Sequence, residues 1–436
     1  MRVAMTIQLS TITFTEQDDI VPLDEEENIY NDGIINTLAG NDLTIGTSDF
    51  TNPYPVPGIS NRGSIYTGDG VDIIIGLNDN LTSSSSYSAI SNHTASIDTG
   101  NGNDIITGIN YGGNLGIESQ YGTINTGDGN DAITGIGEVV GIESGHTTIN
   151  TGEGNDAITG KGGQGGINIY GAGGLDTGKD NDIITGTAFG YGISISLASF
   201  LNTGDGNDTI TGNNTAYNVG LYNRGVIDTG EGDDIITGTN IDMADGNSYP
   251  VSTALSNEGE FYTGDGNDTL TGISTIENGY GFGNVNTIDT GDGKDIIIGT
   301  GKRFGILNGG TINTGNGADS LISNGKLWNT GEVFLGEGND SIIADEGFES
   351  NSTGIMFLGE GEDYIKGFGS GDFYGGNGND ILELTSGIYT FWTSPAGVIF
   401  AKDGIIMNTV GFEQLIAGST SYDFTSLSDG QTIIVV

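Results

Sequence analysis

Thr126-Gly127-Asp128-Gly129-Asn130-Asp131-Ala132-Ile133 decides the fold, because variants of it recur along nearly the whole chain. Close copies are Thr151-Gly-Glu-Gly-Asn-Asp156, Thr203-Gly-Asp-Gly-Asn-Asp208 and Thr263-Gly-Asp-Gly-Asn-Asp268. With the final Asp as marker, the units fall at Asp42, Asp72, Asp104, Asp131, Asp156, Asp182, Asp208, Asp234, Asp268, Asp295, Asp319, Asp340, Asp363 and Asp380. The interval is 26 residues in mid-chain, stretches to 34 before Asp268 and shrinks to 17 before Asp380. A period with loop insertions is the signature of stacked coils.

Two apolar positions keep register with the marker. Two residues after it stands Ile or Leu, as at Ile74, Ile106, Ile133, Ile158, Ile184, Ile210, Ile236 and Leu270. Two residues before the Thr-Gly stands another, as at Ile65, Ile97, Ile124, Ile149, Leu175, Leu201 and Ile227, with Phe334, Phe357 and Phe373 read into this place later. A third segment lies between, typified by Gly58-Ile59-Ser-Asn61 and Gly220-Leu221-Tyr-Asn223. Each unit therefore reads as three short strands, for example Ala132–Gly135, Val139–Ser144 and Thr147–Thr151, separated by Gly and Asn turns. One such strand cannot bury its apolar face, whereas stacked coils can.

The fold class expected is all-β: a parallel β-helix or β-roll solenoid of about 26 residues per coil, tapering to a two-sided β-roll near the C-terminus. Residues 1–33 are expected to form an N-terminal cap, 34–385 the solenoid of about 14 repeats, and 386–436 a C-terminal cap that also holds a possible secretion-signal region.

Composition narrows the function. Among 436 residues there are 58 acidic and 11 basic side chains, a formal charge of −47, with 80 glycines and no cysteine. Cysteine chemistry is excluded. So large a negative charge disfavours nucleic acid and acidic membranes. No apolar run is long enough to span a bilayer, and the N-terminus lacks the pattern of a cleaved signal peptide.

Stacking the coils stacks the aspartates. Carboxylates ~5 Å apart repel by roughly 3 kcal/mol at an effective dielectric of ~20. The turns add Asp69, Asp128, Glu153, Asp205, Glu231, Asp265, Asp292, Glu337 and Glu360, against only Lys179 and Lys294. Three resolutions exist: the carboxylates are protonated, the coils do not stack, or a cation lies between them. Calcium suits the third, since it takes six to eight oxygens in flexible geometry. Each turn offers a carboxylate and curled backbone carbonyls, and a site that exists only in the stack makes binding energy folding energy.

The turn resembles the RTX, or hemolysin-type, calcium-binding nonapeptide G-G-x-G-x-D-x-U-x. Gly375-Gly-Asn-Gly-Asn-Asp380-Ile-Leu382 carries the complete form, most units have Thr in the first place, and those at Asp340 and Asp363 have Leu. The resemblance covers roughly residues 36–385. It implies calcium as cofactor, held by turn carbonyls and by Asp72, Asp104, Asp131, Asp156, Asp182, Asp208, Asp234, Asp268, Asp295, Asp319, Asp340, Asp363 and Asp380. It also implies an extracellular or cell-surface location, reached without a cleaved N-terminal signal by a type I secretion channel. With one nonapeptide per coil, calcium is expected along one edge until the C-terminal coils. Asp42 and Asp182 depart from the pattern, the latter because Lys179-Asp180 replaces the acid-Gly pair.

Two threonine rows are regular: Thr99, Thr126, Thr151, Thr203 and Thr229 before the turn, and Thr107, Thr134, Thr159, Thr185, Thr211 and Thr237 after the Ile. An outward threonine array could bind ice, but intervals of 21–34 argue against a flat lattice. His93 and His146 lie in variable segments without a partner pattern and are read as exposed. No nucleophile elbow, zincin or phosphate-loop motif occurs. The leading expectation is a secreted, calcium-folded structural or adhesive protein rather than an enzyme, with calcium, cell-surface glycans or further copies of itself as partners. A β-helical carbohydrate-active enzyme is the second reading; a groove of aromatic and acidic side chains away from the turns would favour it. Tyr111, Tyr121, Tyr191, Tyr217, Tyr222, Tyr280 and Phe282 are candidates for such a face.

Overall fold

A computed structural model describes residues 7–9, 12–21, 28–48, 56–79, 85–216, 218–241, 252–349 and 351–436. Much of the expected 1–33 cap, and Tyr217, lie outside these residues. The chain divides into two compact units, Met1–Gly230 and Glu231–Val436. Each is an all-β parallel solenoid. Among the described residues no helix is long and apolar enough to cross a membrane.

In the first unit a coil consists of three strands, such as Ala132–Ile136, Val140–Gly145 and Thr148–Asn150. They fall within two residues of the expected segments. Each pairs in parallel with its counterpart one coil on: Ala132–Ile136 with Ala157–Lys161, Val140–Gly145 with Gly165–Tyr170, and Thr148–Asn150 with Gly174–Asp176. Side chains alternate in and out along each strand. The inward ones form three apolar columns. Ile74, Ile106, Ile133, Ile158, Ile184 and Ile210 make one, Ile59, Ile90, Ile117, Ile142, Ile167, Ile193 and Leu221 another, and Ile65, Ile97, Ile124, Ile149, Leu175, Leu201 and Ile227 the third. All are buried, at about 2 kcal/mol of hydrophobic stabilisation each.

The interior is narrow. Gly135 sits where two arms of the coil touch, and a Cβ placed on it would lie 2.3 Å from the carbonyl oxygen of Gly141. Amide side chains line part of the same interior. Asn31 Nδ2 donates to Asn61 Oδ1 at 2.8 Å, and Asn61 Nδ2 to Asn92 Oδ1 at 2.9 Å.

The strands that follow the acidic turn stay in strict register. Leu43–Ser48, Ile73–Asn78, Ile105–Asn110, Ala132–Ile136, Ala157–Lys161, Ile183–Ala188 and Thr209–Asn214 pair in sequence with no shift. The 32 residues between Asp72 and Asp104 do not disturb this, since the extra length falls after Asn78. The expectation that uneven intervals spoil a flat face is corrected here: the described strands on either side of the long intervals pair without a shift.

The second unit begins with the same three-armed coils and loses the middle arm. Ser320–Asn329 still carries it, whereas the coil after Ser341–Ala344 keeps only an isolated bridge from Leu327 to Phe348. The coil built from Tyr364–Lys366 and Gly371–Gly378 has two strands, which is the expected taper. Phe334 and Phe357 do not continue the buried column. Val333, Met356 and Phe373 pair in register with Ile312 and are buried, while Phe334 and Phe357 face outward and stack at 5.1 Å. Leu335 and Leu358 occupy the place of the turn threonine, so the inward residue two positions before it is Val333 or Met356, at the same offset as Ile312 before Thr314.

Beyond the last turn the pairing becomes antiparallel: Gly387–Ser394, Gly397–Lys402 and Ile405–Val410 form a meander, and Thr432–Val435 pairs with its first strand. Tyr389, Phe391 and Phe400 form its buried centre.

Candidate metal centre

The expected carboxylate row exists in both units, and it is buried. In the first unit the main-chain N–H of each marker aspartate donates to Oδ1 of the next: Asp42 to Asp72, Asp72 to Asp104, Asp104 to Asp131, Asp131 to Asp156, Asp156 to Asp182 and Asp182 to Asp208, at 2.7–2.8 Å. In the second unit the series runs Asp234, Asp268, Asp295, Asp319, Asp340, Asp363 and Asp380 at 2.8–2.9 Å, and the Asp380 N–H then reaches Glu413 Oε2. Asp42 and Asp182 hold the same place as the others, although their turns depart from the motif. Asp180 adopts φ +77° where the other turns have glycine.

The second oxygen is the informative one. Oδ2 of Asp72, Asp104, Asp131, Asp156, Asp182, Asp268, Asp319, Asp340, Asp363 and Asp380 is shielded from solvent and accepts no hydrogen bond. Asp295 differs, because Thr290 Oγ1 donates to its Oδ2 at 2.5 Å. Elsewhere the corresponding threonine turns its hydroxyl to the next coil: Thr99 donates to the Thr126 carbonyl at 3.3 Å, and Thr126 to the Thr151 carbonyl at 3.4 Å. This row is therefore an internal hydroxyl ladder and not an outward array.

Burial disfavours the charged form of these groups. It pushes the carboxyls of Asp72, Asp131, Asp208, Asp268 and Asp363 up to about 6, those of Asp104, Asp156, Asp295 and Asp340 up to about 7, and Asp182 up to about 8. Asp319 and Asp380 are raised by the same cause. The nearby Thr99 hydroxyl, although its proton goes to the Thr126 carbonyl, and the Asp72 amide pull Asp104 the other way, and its neighbours Asp72 and Asp131 push it further up. Of the three resolutions offered by the sequence, failure to stack is thereby removed. A proton or a cation remains.

The turn backbone supplies further oxygens. Gly127 and Gly129 lie at φ +84° and +147°, and a Cβ on either would stand 1.8 or 1.6 Å from the carbonyl oxygen of Gly100 or Gly102. Only glycine permits that approach. The second glycine's amide bonds the acidic residue's carbonyl one turn on, as Gly102 does to Asp128 at 2.8 Å. The donor set per rung is thus one orphaned carboxylate oxygen with main-chain carbonyls, all hard oxygen, which fits a calcium-like cation. Among the described residues no three His, Asp or Glu side chains converge into a metal cluster, because each rung contributes a single buried carboxylate.

A second ladder, invisible in the motif, runs the opposite way. The main-chain N–H of Asn130 donates to Asn103 Oδ1, Asn155 to Asn130 and Asn207 to Asn181, at 2.8–2.9 Å. Turn asparagines therefore tie each coil to the one before, while the aspartates tie it to the one after. The repeated Asn before the marker Asp was the available signal.

The aromatic candidates scatter. Tyr111 and Tyr121 are exposed, Tyr191 stacks on Tyr222 at 5.4 Å, and Phe282 is core. His146 is exposed and stacks on Tyr121 at 4.6 Å, but His93 is half-buried at the edge of the same tyrosine, against its expected exposure.

No protein-family model and no curated protein matches the chain. Among solved structures, a hyperactive, Ca2+-dependent, β-helical antifreeze protein from an Antarctic bacterium aligns over 95% of this chain and 96% of its own, with 18% identity and a TM-score of 0.40. A likeness of this size carries no functional argument.

Proposed function

We propose that the protein is an RTX-type, calcium-folded extracellular solenoid with a structural or adhesive role. One observation carries the reading: a file of buried Asp Oδ2 atoms without hydrogen-bond partners, each on a turn rich in main-chain carbonyls. An unpaired buried carboxylate oxygen costs several kcal/mol if left charged and bare. When bound, calcium supplies the positive charge and coordination that this oxygen lacks. Asp72, Asp104, Asp131, Asp156 and Asp182 would hold it in the first unit, and Asp268, Asp319, Asp340, Asp363 and Asp380 in the second. Calcium-poor cytosol would leave such a chain unfolded and fit for export; a calcium-rich exterior would fold it. Circular dichroism during a calcium titration of chelated protein tests this. A cooperative gain of β-signal is expected, and a spectrum indifferent to chelator would defeat it.

A second reading, ice binding, is favoured by a different observation. The outward positions of the seven registered strands are Leu43, Ile45, Thr47; Ile73, Ile75, Leu77; Ile105, Thr107, Ile109; Ala132, Thr134, Ile136; Ala157, Thr159, Lys161; Ile183, Thr185, Thr187; and Thr209, Thr211, Asn213. A chain with 58 acidic residues places none of them here, and Lys161 is the one charge. A flat, uncharged face of threonine and aliphatic side chains at ~4.8 Å intervals suits an ordered lattice better than a flexible partner. Thermal hysteresis of the calcium-loaded protein decides it.

A further inference from the structure

Three of the chain's eleven basic side chains gather on one groove of the second unit. Lys302, Arg303 and Lys326 line a cavity of about 480 Å³ together with Phe304 and Trp328. The groove runs over the middle arm, away from the acidic turns. Parallel pairing places Tyr280 against Phe304 with their rings tilted and 5.4 Å apart, and the Trp328 ring follows, also tilted, at 5.5 Å from Phe304. The sequence signalled Tyr280 but not Phe304 or Trp328, which sit on different coils and meet only through register.

The charges are arranged unequally. Lys302 pairs with Glu277 at 3.1 Å and Lys326 with Glu349 at 3.0 Å. Lys302, Glu277 and Lys326 are well exposed, where ion pairs are worth little and exchange readily. Arg303 has no carboxylate partner among the described residues, in a chain where acids outnumber bases 58 to 11. Its guanidinium lies instead over the rings of Tyr280 and Phe304, at 5.5 and 5.6 Å. Beneath the rim, the indole N–H of Trp328 is shielded from water and finds no acceptor.

We propose that this groove binds an acidic oligosaccharide, a chain bearing hexuronate carboxylates. The planar fork of Arg303 matches one carboxylate with two parallel hydrogen bonds. The C–H face of a pyranose ring is apolar and suits the half-exposed ring of Trp328, while its hydroxyls need donors and acceptors of both kinds, which the Lys–Glu pairs provide. Nucleic acid and other dense polyanions are disfavoured, because Glu277, Glu346 and Glu349 line the groove beside its three bases and the whole chain repels them.

The test uses the calcium-saturated full chain with Trp392→Phe, which leaves Trp328 as the sole indole. A galacturonate tetrasaccharide is titrated at fixed free calcium, followed by fluorescence, beside its methyl-esterified form. The expected result is a saturable signal with the acid, and binding weaker by about tenfold or more both for the ester and for Arg303→Gln. Arg303→Lys, which keeps charge but loses the fork, should fall between. No saturation with the acid, equal binding of the ester, or an unchanged Arg303→Gln overturns the proposal. Circular dichroism on the same samples separates loss of this site from failure of the calcium-dependent fold.

Discussion

The main-chain N–H of Asp131 donates to Oδ1 of Asp156 at 2.8 Å, one coil away, while Oδ2 of the same Asp156 accepts no hydrogen bond, the nearby Thr151 hydroxyl donating to the Thr177 carbonyl instead. The two oxygens of one carboxylate thus do separate work. Oδ1 sets the register between coils and would do so equally well as a carbonyl. Oδ2 has no role in the protein alone.

Asp156→Asn separates the two. The amide keeps an oxygen for the Asp131 N–H and removes the buried charge. In calcium the variant should be less stable by about 1–3 kcal/mol, having lost a ligand. In chelator it should match or exceed the parent, since a buried repulsive charge is gone. Melting temperature in saturating calcium and residual β-signal in chelator measure this. Equal destabilisation with and without calcium would mean that the carboxylate serves only as a hydrogen-bond acceptor.

The raised carboxyls fix a sign for pH. An unfolded aspartate titrates near ~3.9. In the folded, metal-free chain Asp104 and Asp156 titrate near about 7 and Asp182 near about 8, because burial disfavours their charge. A folded pKa above the unfolded one gives stability that is complete below pH ~4 and lost as pH climbs through 6 to 8. Chelated protein should therefore be less folded at pH 8 than at pH 5. Calcium affinity should run the other way, since the ion needs the ionised carboxylate. Residual β-signal and urea resistance in chelator across that range check the first claim, and more folded protein at pH 8 than at pH 5 would contradict it.

Gly129 and Gly404 both hold positive φ, at +147° and +82°, but only the first is crowded. A Cβ at 129 would stand 1.6 Å from the Gly102 carbonyl oxygen, whereas one at 404 meets nothing within 4 Å. Gly404→Ala should cost about 1 kcal/mol, the strain of the left-handed backbone alone. Gly129→Ala should cost at least about 3 kcal/mol, since two coils must part. Denaturant melts in saturating calcium give both values, and similar costs would show that the turns are not in close contact.

What could be read from the sequence was whatever repeats within one coil. The marker aspartates, the Ile columns and the terminal taper all announce themselves by fixed offsets from Gly and Asp. What escaped depends on neighbours in other coils. Asn130 reads as an ordinary turn residue until Asn155 is seen donating to it. Phe304 and Trp328 are 24 residues apart and stack only because their coils differ little in length. Phe334 stands one position before Leu335 and so faces outward beside Asn313; the offset of two that marks the buried column falls on the smaller Val333, which the larger aromatic side chain masks in the sequence. The uneven intervals misled most, because sequence distance between turns says nothing about which corner of the coil absorbs the excess.

That last point bears on the flat face of the first unit. Thr134 and Thr159 are directly paired, Thr134 also pairs with Thr107, and Thr159 with Thr185. None of these hydroxyls is needed by the interior, unlike those of Thr126 and Thr151, which bond the next coil. Thr134→Tyr should therefore leave the unfolding free energy in calcium within about 0.5 kcal/mol of the parent, as for an ordinary surface change. If the face docks on an ice lattice, the protruding ring breaks its flatness at the centre and thermal hysteresis should largely disappear. The same substitution at a half-exposed position away from this face, such as Asn125→Tyr on the third arm, should leave hysteresis intact. Parent protein without hysteresis in saturating calcium, or hysteresis unaffected by Thr134→Tyr, would remove ice from the list of ligands and leave the uncharged face as a surface for other ordered matter.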